Sequence, residues 1–127
     1  MTTLYPLKFQ PILKDKIWGG QKLQQLLHKS ISSTKAGESW EISDVEGDTS
    51  IVANGPLKGT SLKTLMDTYT SDLMGAKNFR QFGKKFPLLI KFIDAKQDLS
   101  VQLHPNDELA KARHNSFGKT EMWYVVQ

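Results

Sequence analysis

Apolar and polar positions alternate most cleanly from Leu99 to His104, where Leu99, Val101 and Leu103 fall on one side and Ser100, Gln102 and His104 on the other. That period of two predicts a half-buried strand with one apolar and one polar face. Just upstream, Phe86 to Ala95 (FPLLIKFIDA) is apolar at most positions, which predicts a strand covered on both sides. Thr120 to Gln127 reads as a further strand. Glu38 to Ser43 is another, with Ser39, Glu41 and Ser43 alternating against Trp40 and Ile42. Leu4 to Phe9, interrupted by Pro6, predicts an edge strand, and Ile51 to Ala53 a short one ended by the turn Asn54-Gly55-Pro56.

Helical spacing is confined to three places. Leu62, Leu65, Met66 and Tyr69 recur at i, i+3, i+4 and i+7 behind a cap at Thr60 or Ser61, and Gly75 ends this region after a break near Ser71. Leu23, Leu26 and Leu27 predict one or two amphipathic turns within Gln21 to His28. Pro105 with Asn106 or Asp107 starts a short helix through Arg113, with Asp107 and Glu108 at its positive end. Pro11 to Gly20, Lys29 to Gly37, the acidic DVEGD at Asp44 to Asp48 and the basic Lys77 to Lys85 are expected to be loops. This order predicts a mainly β fold, a small β-barrel or jelly roll with a helical insertion at about 60–77. The strands at about 86–127 carry its polar face, and no linker or repeat divides residues 1–127.

At 127 residues the chain is one domain's worth, and 39% hydrophobic with 24% charged residues is an ordinary globular balance. Seventeen Lys and Arg against thirteen Asp and Glu leave a formal charge of +4, which suits an anionic partner such as a sugar phosphate or a nucleic acid. The basic residues are scattered without an aromatic stripe, so a nucleic-acid groove is not expected. With no cysteine, any metal must be held by nitrogen and oxygen ligands. No window approaches a membrane span or a signal-peptide core, so the expected location is cytoplasmic.

The candidate chemistry sits on the alternating strand. Gln102 and His104 project side by side, and a carboxylate, Glu121, returns seventeen residues after His104. Imidazole, amide oxygen and carboxylate together suit a zinc-like divalent ion that keeps one position open. The same spacing also describes a hydrogen-bonded polar strand face. Lys91 interrupts the most apolar run, so it either pairs with a carboxylate or faces a cavity. Gly118 allows a tight turn that brings Lys119 beside the expected ion, where a lowered pKa would suit proton transfer; the alternative is a turn lysine in water. Trp18 is a loop or core anchor or an aromatic facing substrate. His28 reads as exposed and inert, and His114 as structural or surface.

FPLLIKFIDAKQDLSVQLHP (Phe86 to Pro105) and FGKTEMWYV (Phe117 to Val125), with IWGG at Ile17 to Gly20 and ESWEIS at Glu38 to Ser43, resemble the type I mannose-6-phosphate isomerases, especially the short bacterial forms. The resemblance implies a cupin-type barrel and the interconversion of mannose 6-phosphate and fructose 6-phosphate through an enediol. It implies zinc on Gln102, His104 and Glu121, and Lys119 and Lys91 for proton handling or charge stabilisation. Ser100 then matches a serine that touches the phosphate, Lys91 a lysine lining the sugar-phosphate site, and Glu38 a substrate-contacting carboxylate, with Glu41 as the neighbouring alternative. Family members continue well beyond the position of Gln127 and there supply a further histidine ligand and an arginine. On this reading the chain is an N-terminal portion whose open strand edge meets another copy or the missing C-terminal portion. The alternative is a non-catalytic fragment that binds metal or sugar phosphate.

Overall fold

A computed structural model describes residues 1–127. Its framework is a three-stranded antiparallel sheet in the order β1-β2-β5, from β1 (Ile12–Gly20), β2 (Ala36–Ile42) and β5 (Ile90–Ile93). A hairpin of β3 (Asp44–Val45) and β4 (Asp48–Thr49) follows β2 directly. Short α1 (Lys22–Gln25) joins β1 to β2, and α2 (Leu62–Tyr69), α3 (Ser71–Met74) and α4 (Ala76–Phe82) intervene before β5. Helix α5 (Asp107–His114) comes last. No barrel closes around these strands, in keeping with a partial β architecture.

Three segments expected from the sequence to be loops are regular structure. Pro11 to Gly20 was expected as a connector, yet Ile12–Gly20 is the longest strand. Its sequence, ILKDKIWGG, has no clean apolar alternation because its inner face carries Lys14 and Lys16 rather than greasy residues. The acidic DVEGD is the β3–β4 hairpin, turning at Glu46-Gly47, where Gly47 has a φ of 83°. The basic connector at 77–85 is largely α4, so the helical region reaches Phe82 rather than 77.

Four expected strands are reduced or missing. Of Leu4 to Phe9, only Phe9 pairs, bridging Val52. Phe86 to Ala95 contributes only Ile90–Ile93, and its apolar side is not covered: Leu88, Ile90 and Phe92 stay exposed. Leu99 to His104 and Thr120 to Gln127 form no ladder. Alternation shows which face a strand would bury, but a strand forms only where a neighbour accepts its hydrogen bonds and covers that face. Neither is supplied here, and Val101, Leu103, Met122, Tyr124 and Val125 are left facing solvent. Exposed apolar patches such as this lip generally mark association surfaces. Lysine at positions 101 and 124 together is expected to raise the monodisperse fraction in light scattering without altering the far-ultraviolet circular dichroism; an unchanged fraction would free the lip of that role.

The main core lies under α2. Ser61 caps the helix by accepting from Thr64 N at 3.1 Å, and Leu62, Leu65, Met66 and Tyr69 are all buried, as their spacing predicts. Val52, Leu65 and Tyr69 pack with Leu4, Leu7, Phe9, Leu57 and Leu73, and Tyr69 Oη donates to the carbonyl of Thr2 at 2.7 Å. Helix α2 breaks at Thr70, which has φ 47° and ψ −116°. A β-branched residue at positive φ costs about 1–3 kcal/mol, more than the roughly 0.5–1 kcal/mol entropic cost of glycine. Thr70→Gly is therefore expected to stabilise the chain by about 1 kcal/mol in urea unfolding. A lowered midpoint would show that the threonine side chain outweighs its backbone strain.

Candidate functional site

The sheet register builds the first half of the site. β1 sets Lys14 opposite Glu38 and Ile12 opposite Trp40, while β5 sets Lys91 opposite Trp40 and Ile93 opposite Glu38. Lys14, Glu38, Trp40 and Lys91 thus share one face of the sheet. There, Lys91 Nζ lies 3.0 Å from Glu38 Oε1, and Trp40 Nε1 donates to Glu38 Oε2 at 2.6 Å. Lys14 Nζ stands 4.9 Å from the centre of the Trp40 ring and 2.6 Å from Asp48 Oδ1. Burial alone would push the Glu38 pKa up, but the hydrogen bonds from Trp40 and Lys91, with the charges of Lys91 and Lys16, hold it below the usual glutamate range. Lys91, placed in an apolar run, has its charge answered by Glu38.

The second half is built by the segment that folds back after α5. Asn106 Oδ1 caps the helix from Leu109 N at 2.9 Å, and Asp107 Oδ1 accepts from Gly118 N at 2.8 Å. Lys119 N reaches the carbonyl of Pro105 at 3.4 Å. These bonds return residues 118–121 to residues 104–107, so that Glu121 Oε2 lies 3.4 Å from His104 Nε2 and Glu121 Oε1 lies 2.9 Å from Lys119 Nζ. The Lys119 hydrogen bond holds the Glu121 carboxyl below its usual range against a small opposing effect of burial. The charges of Lys119, His104 and Lys91 add to it. Lys91 therefore acts on Glu121 as well as on Glu38, and the two halves are electrostatic neighbours.

His104 and Lys119 thus both meet Glu121, and Lys91 meets Glu38. Gln102 is turned along its own segment, its Nε2 donating to Ser100 Oγ at 2.8 Å. Trp18 is held by its backbone, whose carbonyl accepts from Lys96 N at 2.8 Å, and its ring lies against Gly37. Glu41 is on the opposite face of β2, bound by Ser39 Oγ at 2.6 Å and by Lys29 at 2.8 Å, away from Lys91. His28 and His114 make no ion pair. An apolar cavity of about 220 Å³ is lined by Tyr5, Leu7, Phe9, Ile42, Leu62, Leu73, Met74 and Phe86, and the Tyr5 hydroxyl is already bonded to the carbonyl of Asn54 and the N–H of Leu57.

No cluster of three His, Asp or Glu side chains forms a metal cage. The donor set nevertheless fits one edge of a site. Ligand atoms about 2.0–2.1 Å from a tetrahedral zinc stand about 3.3–3.4 Å apart, and His104 Nε2 and Glu121 Oε2 are 3.4 Å apart. With Gln102 Nε2 bound to Ser100, the amide oxygen is the atom left for a cation.

The type I phosphomannose isomerase catalytic domain matches residues 6–122. The chain belongs to the type I phosphomannose isomerase family. It is 42% identical over 123 residues to the probable mannose-6-phosphate isomerase GmuF of Bacillus subtilis, covering 96% of this chain and 38% of that protein. It is also 42% identical over 125 residues to the mannose-6-phosphate isomerase ManA of the same organism, covering 98% of this chain and 38% of the relative. The crystal structure of the mannose 6-phosphate isomerase from Bacillus subtilis superposes with a TM-score of 0.78 at 38% identity, over 89% of this chain and 35% of that one. The chain spans about 38% of the length of these curated relatives. Type I phosphomannose isomerases are, as a family, metal-dependent. No helix is long and apolar enough to cross a membrane.

Three contributors to the site stand outside the residues that the sequence brings forward: Trp40 and Lys14 occupy ordinary strand and loop positions in the pattern, and Asp48 an acidic loop. Their signal was the charge pattern itself: lysines alternating on β1 face an acidic hairpin and a Glu-Ser-Trp-Glu strand.

Proposed function

We propose that this chain supplies the metal-proximal part of an aldose–ketose isomerase site for mannose 6-phosphate and fructose 6-phosphate. The observation that carries this reading is the 3.4 Å approach of His104 to Glu121, with Lys119 on the second carboxylate oxygen. His104, Glu121 and the amide oxygen of Gln102 would hold zinc. When bound, zinc would polarise the sugar oxygens and offset the negative charge of an enediol. Around it, Lys119 would give or take the proton that moves between C2 and C1, and Lys91 would stabilise charge on the sugar oxygens. Glu38 and Trp18 would contact the sugar. Ser100 would orient Gln102 or meet the phosphate.

A cupin-type barrel completed by further strands, and a cytoplasmic setting where sugar phosphates are made and kept, belong to the same proposal. So does pairing of the apolar lip with a second copy or with residues that complete the longer relatives. Neither nucleic acid nor membrane enters it. The Gln102 amide, engaged by Ser100, favours one other reading, a non-catalytic fragment that binds metal or sugar phosphate.

Zinc uptake and product formation separate the two. The purified chain, incubated with zinc and mannose 6-phosphate, is expected to form fructose 6-phosphate, and Glu121→Gln to form none. Zinc uptake without product would overturn the isomerase reading and leave the binding fragment. No zinc uptake at all would remove the metal site from both.

A further inference from the structure

We propose that Trp40 is the positioning residue of this site: its indole N–H holds one oxygen of Glu38 so that the other is aimed at Lys91. The catalytic consequence rests on the isomerase reading; the geometry does not. Glu38 is buried, and a buried carboxylate free to rotate would present either oxygen to either neighbour. The two bonds remove that freedom, because Oε2 receives Trp40 Nε1 at 2.6 Å while Oε1 meets Lys91 Nζ at 3.0 Å. Trp40 and Lys91 are register partners across β2 and β5, so the sheet fixes the spacing of both donors.

The indole is itself buttressed. Lys14, anchored at 2.6 Å by Asp48 of the β3–β4 hairpin, lies over its ring at 4.9 Å. A cation over the face of a tryptophan is attracted by the ring's electron density and resists its rotation. A continuous path therefore runs from Asp48 through Lys14, Trp40 and Glu38 to Lys91, whose charge reaches Glu121. Trp40 need not touch the sugar to act along it. The charged groups facing Glu38 are Lys14 and Lys16 from β1 and Lys91 from β5, with Asp48 of β4 behind Lys14, so removing the indole N–H changes the hydrogen bonding while leaving those charges in place.

Trp40→Phe keeps the ring and deletes the donor. In chain labelled at glutamate carboxyl carbons, with the Glu38 resonance assigned by its loss in Glu38→Gln, Trp40→Phe is expected to move the Glu38 titration upward toward that of an exposed glutamate. Ile93→Val, a packing change opposite Glu38, is expected to leave it unmoved, which a merely structural role for Trp40 would not explain. Should Trp40→Phe fail to fold, the wild type still decides the matter: the Trp40 indole N–H resonance is expected to follow the Glu38 midpoint. In turnover, Trp40→Phe is expected to lower kcat about 10- to 100-fold with KM little changed, the cost of a displaced charged group. An unchanged Glu38 titration, or an indole resonance blind to Glu38, overturns the positioning role whether or not the chain is active. A wild type without turnover overturns the isomerase reading instead, and the titration still decides the role of Trp40.

Discussion

His104→Ala and Glu121→Gln are each expected to weaken zinc binding by the chain about 100- to 1,000-fold. Zinc held by a few protein ligands is bound by about 10–16 kcal/mol, so each ligand is worth roughly 3–4 kcal/mol, and every 1.4 kcal/mol is tenfold in affinity. The 3.4 Å approach of Nε2 to Oε2 already matches the separation of two atoms that share one ion. Neither side chain has to travel, so little reorganisation offsets the loss when one is removed. Gln102→Ala should cost less, since the amide is neutral and is turned along its own segment to Ser100. His114→Ala, at the end of α5 and in no ion pair, should cost nothing. Competition against a chromophoric chelator measures all four. Wild-type affinity in His104→Ala, or a loss of equal size in His114→Ala, would place the metal elsewhere.

What could be read from the chain follows from the range of the forces involved. Helix α2 was legible, because a four-residue apolar spacing, a cap at Thr60 or Ser61 and a break near Ser71 are local signals; the structure fixes the cap at Ser61 and the break at Thr70. The start of α5 was legible for the same reason, at Asn106 or Asp107, and the cap is Asn106. β1 was not, since both its faces are mixed and what makes it a strand is pairing with β2, whose residues lie sixteen to twenty-eight positions away. The opposite failure occurred at Leu99 to His104 and Thr120 to Gln127. Their local pattern is that of strands, but a ladder is a property of two segments, and here neither segment meets a partner. The Trp18-Gly19-Gly20 corner had a meaning that only close approach shows: a Cβ at Gly19 would collide with the carbonyl of Lys35, and one at Gly20 would stand 2.6 Å from Asp94 Oδ2. Asp94, buried there, caps α1 by accepting from Lys22 N at 2.7 Å.

The site divides in the same way. Residue types at short spacing brought out Gln102, His104, Lys119 and Glu121, the apolar run around it brought out Lys91, and resemblance added Glu38. That Glu38 rather than Glu41 faces Lys91 needed the register, because neighbouring positions on a strand point to opposite faces. The indole bond to Glu38 and the Asp48 anchor of Lys14 join segments whose sequence contains no sign that they meet.

Glu38→Gln is expected to destabilise the chain by about 2–3 kcal/mol at neutral pH. Removing one partner of a buried ion pair costs about 3–5 kcal/mol because the remaining charge is left uncompensated; Lys91 keeps 18% of its side chain exposed, which lets water recover part of that. Pairing the change with Lys91→Met is expected to cost less than the sum of the two single substitutions, since no orphan ammonium then remains. Acid should erase the difference between wild type and Glu38→Gln. Folded Glu38 ionises below the usual range, whereas unfolded it takes its proton near the ordinary glutamate value of about 4.3. Between those two values the unfolded chain binds more protons than the folded one, so stability rises with pH across that window. The contribution of Glu38 is thus fully present above the ordinary value and is lost as pH falls through the lowered one. Urea unfolding at pH 7 and in steps into the acid range is expected to show the gap between wild type and Glu38→Gln closing from below about pH 4.3. A gap that stays constant, or widens in acid, would mean that the Glu38 carboxylate gains nothing from Trp40 and Lys91 in the folded chain.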